Sequence, residues 1–96
     1  MNKIIQQKLT NYFSTKPVQK AYIFGSFARN QQTRKSDIDI LVDIEPSYLM
    51  SLIEFGGMLE DLKELLNRKV DLVSSDGISK HLKPVIEQEK ILIYER

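Results

Sequence analysis

A chain of 96 residues has room for a single domain spanning residues 1–96 and one modest core, and none for a second lobe. Its 42% hydrophobic and 28% charged residues are ordinary for a soluble globule, and a formal net charge of +1 leaves no electrostatic footprint for a long nucleic acid. The lack of cysteine excludes disulfides and thiolate metal sites; with an N-terminus too polar for a signal peptide and no membrane-length apolar run, the expected location is the cytoplasm.

Ile4, Ile5, Leu9, Tyr12 and Phe13 recur at near-helical spacing, which predicts an amphipathic helix over residues 3–13 covering one side of a sheet. It should end before Lys16-Pro17, because proline pushes its predecessor toward extended geometry. Residues 18–24 read as a first strand that runs into a Gly25-Ser26 turn. Ser26 is the expected N-cap of a short helix carrying Phe27 and Ala28 inward and Arg29 toward a site. Residues 30–35 contain no apolar side chain and read as an exposed loop. A second strand over residues 38–44 is closed by Glu45-Pro46.

Ser47 is the expected N-cap of the longest helix, which runs to about Leu66. Its Leu52, Ile53, Phe55, Leu59, Leu62, Leu65 and Leu66 make a stripe predicted to face the sheet. Gly56-Gly57 interrupts the pattern at roughly 1 kcal/mol per glycine, as a close contact, a kink or a boundary between two helices. Asn67 suits a left-handed C-cap before a strand over residues 69–73, and residues 74–80 are loop-like. Pro84 suits the first turn of a last short helix ending near Glu89, and residues 91–94 read as the final strand. Strands and helices alternating around one sheet predict an α/β (α+β) sandwich.

The chemistry concentrates in GSFARN, residues 25–30, and SDIDILVD, residues 36–43. Strand side chains alternate between faces, so Asp37, Asp39 and Asp43 share one face, with Leu41, while Ile38, Ile40, Val42 and Ile44 share the other. Aspartates one pleat apart repel, and a hard divalent cation is the usual partner that offsets the repulsion. Gly25 allows a sharp turn, and unpaired amides at a helix start form an anion site. Arg29, placed in the first helical turn, opposes the helix dipole unless an anionic ligand is close. A phosphate cradle beside paired carboxylates points to nucleotide chemistry. Asp71, between Val70 and Leu72, reads equally well alone as a solvent-facing strand residue or as a ligand. Asp43, Arg34, Lys35 and His81 read as surface residues.

Taken in order, Gly25-Ser26, Arg29, the Asp37-x-Asp39 pair and Asp71 within KVDLV resemble the signature of the polymerase-beta-like nucleotidyltransferases. The compact form is similar to the minimal nucleotidyltransferase proteins, and the resemblance covers most of the chain. Asn30 departs from the glycine of many relatives, although asparagine also tolerates a left-handed backbone. The resemblance implies a nucleotidyltransferase core built on a small mixed sheet. It implies Asp37, Asp39 and Asp71 as catalytic ligands of two Mg2+ ions, with Asp71 also a base toward the acceptor hydroxyl. Gly25, Ser26 and Arg29 are implied to hold the phosphates of a nucleoside triphosphate.

The implied reaction moves AMP from ATP to a hydroxyl and releases pyrophosphate. Members of the family act as antitoxins beside HEPN-type ribonuclease toxins, transferring AMP to a toxin tyrosine, which implies such a toxin as partner. A chain with no extra domain to hold an acceptor is consistent with an acceptor that brings its own surface. Two other functions stay open: a binding module that neutralises its partner by contact, and small-molecule transfer of the aminoglycoside type, in which a homodimer completes the acceptor pocket.

Overall fold

Two seven-residue stretches rich in β-branched and aromatic side chains, VQKAYIF and IDILVDI, pair as the central strands of a four-stranded sheet. A computed structural model describes residues 2–96. The elements are α1 (Lys3–Phe13), β1 (Val18–Phe24), α2 (Gly25–Ala28), β2 (Ile38–Ile44), α3 (Leu52–Leu66), β3 (Val70–Ser74), a 3-10 turn (Ser75–Gly77), α4 (Lys83–Glu89) and β4 (Ile91–Glu95). The sheet order is β3-β2-β1-β4, with β1 antiparallel to β2 and β4, and β2 parallel to β3. The parallel pair needs a crossover, and α3 supplies it. The expected small mixed sheet with helices packed on it is what the chain forms. Among the described residues, no helix is long and apolar enough to cross a membrane.

One face of the sheet is the main core. Ala21 and Ile23 of β1 pair with Val42 and Ile40 of β2, and Ile40 in turn with Leu72 of β3. Against them pack Leu9 and Phe13 from α1 and Met58 and Leu62 from α3. The opposite face carries Tyr22 beside Leu41, Phe24 beside Asp39, and Asp39 beside Asp71. Leu41 is 1% exposed and Ile86 of α4 is 2% exposed, yet neither belongs to the main cluster. Burial on this face is therefore local, and it leaves Asp71 exposed and Asp39 half-buried.

The chain departs from the sequence reading in α3. Its N-cap is Ser51, not Ser47: Ser51 Oγ accepts from the Glu54 amide at 3.1 Å, and Glu54 Oε1 accepts from the Ser51 amide at 3.2 Å. This reciprocal capping box outcompetes the lone serine four residues earlier. Starting there turns Leu52 and Ile53 away from the sheet, 90% and 88% exposed, so the buried stripe begins at Phe55 and centres on Met58 and Leu62. The helix runs unbroken through Gly56 and Gly57, and a Cβ on either glycine would meet nothing within 4 Å. Neither a helix boundary nor a close contact explains the pair. Asn67 caps the helix in the left-handed region at φ 49°, as expected.

Candidate active site

Gly25 follows β1 directly and starts a helix of one turn. Its φ of +72° suits glycine, and space demands glycine as well: a Cβ at this position would lie 2.0 Å from Asp39 Oδ2. The backbone turn and the Asp39 carboxylate are thus in contact. Ser26 was expected as the N-cap; that place belongs to Phe24, and Ser26 sits inside the first turn, half-buried. Its amide is still among the first amides of a helix, which have no intrahelical acceptor. Arg29 is the C-cap of α2, where its amide bonds to the Gly25 carbonyl. A cation at that end is favoured by the dipole, so Arg29 is not unfavourably placed, contrary to the expectation, and its position calls for no anionic ligand. Asn30 takes a left-handed conformation at φ 58°, which asparagine accepts.

The parallel register sets Asp39 directly beside Asp71, both on the face opposite the main core. Asp37 precedes β2 by one residue and is exposed. The Asp39 proton is held to about 6, above the ordinary carboxylate value of 3.8. Burial is the first cause, followed by the negative charges of Asp71, Asp37 and Glu89, while Arg29 pulls the other way. These couplings bring the expected carboxylates into one electrostatic neighbourhood. Among the described residues, no three His, Cys, Asp or Glu side chains already close into a metal-binding cluster. Asp43 sits at the far end of β2, opposite Lys20. His81, Arg34 and Lys35 are exposed, as expected of surface residues.

Two residues of the site were not legible as such. Glu89, the last residue of α4, accepts from the Gly25 amide at 2.9 Å through Oε1 and from Arg29 Nη1 at 2.7 Å through Oε2. Arg29 holds its carboxyl below the usual carboxylate range. Sixty-four positions separate Glu89 from Gly25, so no local pattern joins them. The one available hint was an acidic residue at a helix C-terminus, against the dipole. Arg68, after α3, donates through Nη1 to the Ser36 carbonyl at 3.1 Å and to those of Thr33 and Arg34 at 3.4 and 3.5 Å. Its guanidinium also lies 5.1 Å from the centre of the Phe27 ring. Arg68 thereby closes the loop that delivers Asp37.

Residues 7–96 match the family described as polymerase beta, nucleotidyltransferase. A Methanocaldococcus jannaschii protein carrying a provisional protein adenylyltransferase name is 47% identical over 78 residues, 79% of this chain and 76% of that one. The protein adenylyltransferase MntA of Thermococcus cleftensis is 33% identical over 76 residues, 79% of this chain and 75% of its own. Among solved structures, a toxin–antitoxin crystal structure with AMP-PNP superposes with a TM-score of 0.82 at 25% identity, over 95% of this chain and 73% of that one.

Proposed function

Since the chain belongs to the polymerase beta nucleotidyltransferase family, we propose that it transfers AMP from ATP to a hydroxyl of a partner protein, a HEPN-type toxin that it thereby neutralises. The observation that carries this reading is the pairing of Asp39 with Asp71 on one face, with the Gly25 turn in contact with Asp39. The relatives named as protein adenylyltransferases and the AMP-PNP-bound toxin–antitoxin structure support the nucleotide and the kind of acceptor. A tyrosine hydroxyl on the toxin is the acceptor, and the cytoplasm is the place of reaction.

In the reaction the acceptor oxygen forms a bond to the α-phosphorus as the bond from that phosphorus to pyrophosphate breaks. Asp71, exposed at its strand, takes the proton of the attacking hydroxyl. The Ser26 amide and hydroxyl, together with Arg29, hold the phosphate tail. The donor set fits Mg2+: hard carboxylate oxygens in mutual repulsion, with the Asp39 pKa raised to about 6 by burial and its acidic neighbours. Asp37, Asp39 and Asp71 would hold two such ions, which when bound neutralise phosphate charge and lower the pKa of the attacking hydroxyl.

The test is incubation of the chain with ATP, Mg2+ and the protein encoded beside it, followed by intact mass spectrometry of that protein. An added AMP that disappears with Asp39→Asn supports transfer. Neutralisation that survives this substitution, with no added mass, would replace transfer with inhibition by contact.

A further inference from the structure

We propose that Glu89 is a positioning residue, whose carboxylate grips both ends of α2 and sets the angle at which Ser26 and Arg29 meet a nucleotide. The proposal rests on the nucleotidyltransferase reading of this site and goes beyond it by assigning a residue outside the aspartate and glycine-serine motifs.

A four-residue helix cannot hold its own shape, because a single hydrogen-bonded turn does not repay the entropy of fixing it. External restraint has to supply the difference. Gly25 and Arg29 stand at opposite ends of the turn, and one oxygen of Glu89 takes each. Arg29 Nε also donates to Gln31 Oε1 at 3.2 Å, so the guanidinium is held from two directions. The Glu89 side chain is only 17% exposed. Its mounting is firm: buried Ile86 lies one turn before it, the Lys90 amide bonds to the Ile86 carbonyl, and Ile91 is paired with Ile23 on β1. A backbone amide has one hydrogen to give, so the Gly25 amide committed to Glu89 is not a phosphate donor. That role narrows to Ser26 and Arg29. The opposite interpretation treats Glu89 as an internal anion seated where phosphate belongs, and it predicts the opposite sign when Glu89 is removed.

The full chain, Glu89→Ala and Glu89→Gln are compared by calorimetric titration with AMP-PNP and Mg2+, alongside circular dichroism melting and the amide proton shift of Gly25. Glu89→Ala is expected to bind on the order of tenfold more weakly while still folded, with the Gly25 amide resonance moved upfield. Glu89→Gln, which keeps an oxygen for Gly25, recovers part of the affinity and most of the amide shift. Equal or tighter binding by folded Glu89→Ala overturns the positioning role and leaves the nucleotide reading intact. If Glu89→Ala does not fold, Glu89→Gln decides: affinity unchanged or higher overturns the role. A wild-type chain that binds no AMP-PNP with Mg2+ overturns the nucleotide reading, and the role of Glu89 with it.

Discussion

The Asp39 carboxylate occupies the volume that any side chain on residue 25 would need: a Cβ there would lie 2.0 Å from Oδ2, 2.9 Å from Cγ and 3.3 Å from Cβ of Asp39. Rotating the carboxyl away relieves only the first of these collisions. Gly25→Ala therefore combines a left-handed backbone cost of about 1 kcal/mol with displacement of a carboxylate, for about 2 kcal/mol in total. The melting temperature should fall by about 10 °C. AMP transfer should fall on the order of a hundredfold even at temperatures where the variant is folded. Melting by circular dichroism and transfer measured by mass spectrometry check the two effects separately.

Asp39→Asn and Asp71→Asn keep the side-chain volume and remove a repelling charge. Both should melt at or above the wild-type temperature while losing transfer on the order of a thousandfold. Loss of activity with a gain in stability distinguishes a site that stores repulsion from one that merely contributes packing. A pronounced drop in melting temperature for either variant would contradict the prediction.

Asp39 also sets a pH dependence whose sign follows from its raised pKa of about 6 against 3.8. Between those values the folded chain retains a proton that the unfolded chain has released, so stability decreases as pH rises through this window. Above about pH 6 the contribution is lost. Under the proposed reaction Mg2+ with ATP would bind the ionised form, so affinity should change the other way, weakening as pH falls below about 6. Melting curves and titrations across the window test both signs, and Asp39→Asn should flatten the stability trend.

Arg68→Ala should loosen the loop that leads into Asp37 without disturbing the core. Losing the carbonyl contacts and the Phe27 stacking of a partly exposed arginine costs about 1 kcal/mol. The expected outcome is a modest fall in melting temperature, faster hydrogen exchange at Ser36 and Asp37, and transfer reduced about tenfold. Arg68→Lys should not fully restore the loop, since an ammonium placed at the carbonyls leaves no guanidinium plane over Phe27.

The order of the elements was legible because apolar periodicity is a local property that survives folding. The mixed sheet and the role of Asp71 beside Asp39 came only from the family resemblance, since cross-strand register is not encoded locally. The α3 start was not. Ser47 and Ser51 both satisfy the capping preference, and only the Glu54 carboxylate reaching back selects the second. A start at Ser47 would place Leu52 and Ile53 on the sheet face, whereas both are exposed; Leu52→Ser and Ile53→Ser should each leave the melting temperature within about 3 °C of wild type, as for any exposed position. Glu89 was not legible because its partners lie at least 60 positions earlier in the chain, and no periodicity encodes a contact made by two separate segments.

The register between β2 and β3 ties chemical competence to correct assembly. β3 is an edge strand held by a single parallel ladder. A slip of one residue along that ladder would rotate Asp71 into the oily interior and push Val70 and Leu72 into water. A misthreaded molecule would thus be both unstable and inert. Selection for a dry interior polices the geometry of the acids at no further expense, so a population of folded molecules is also a population with its carboxylates aligned.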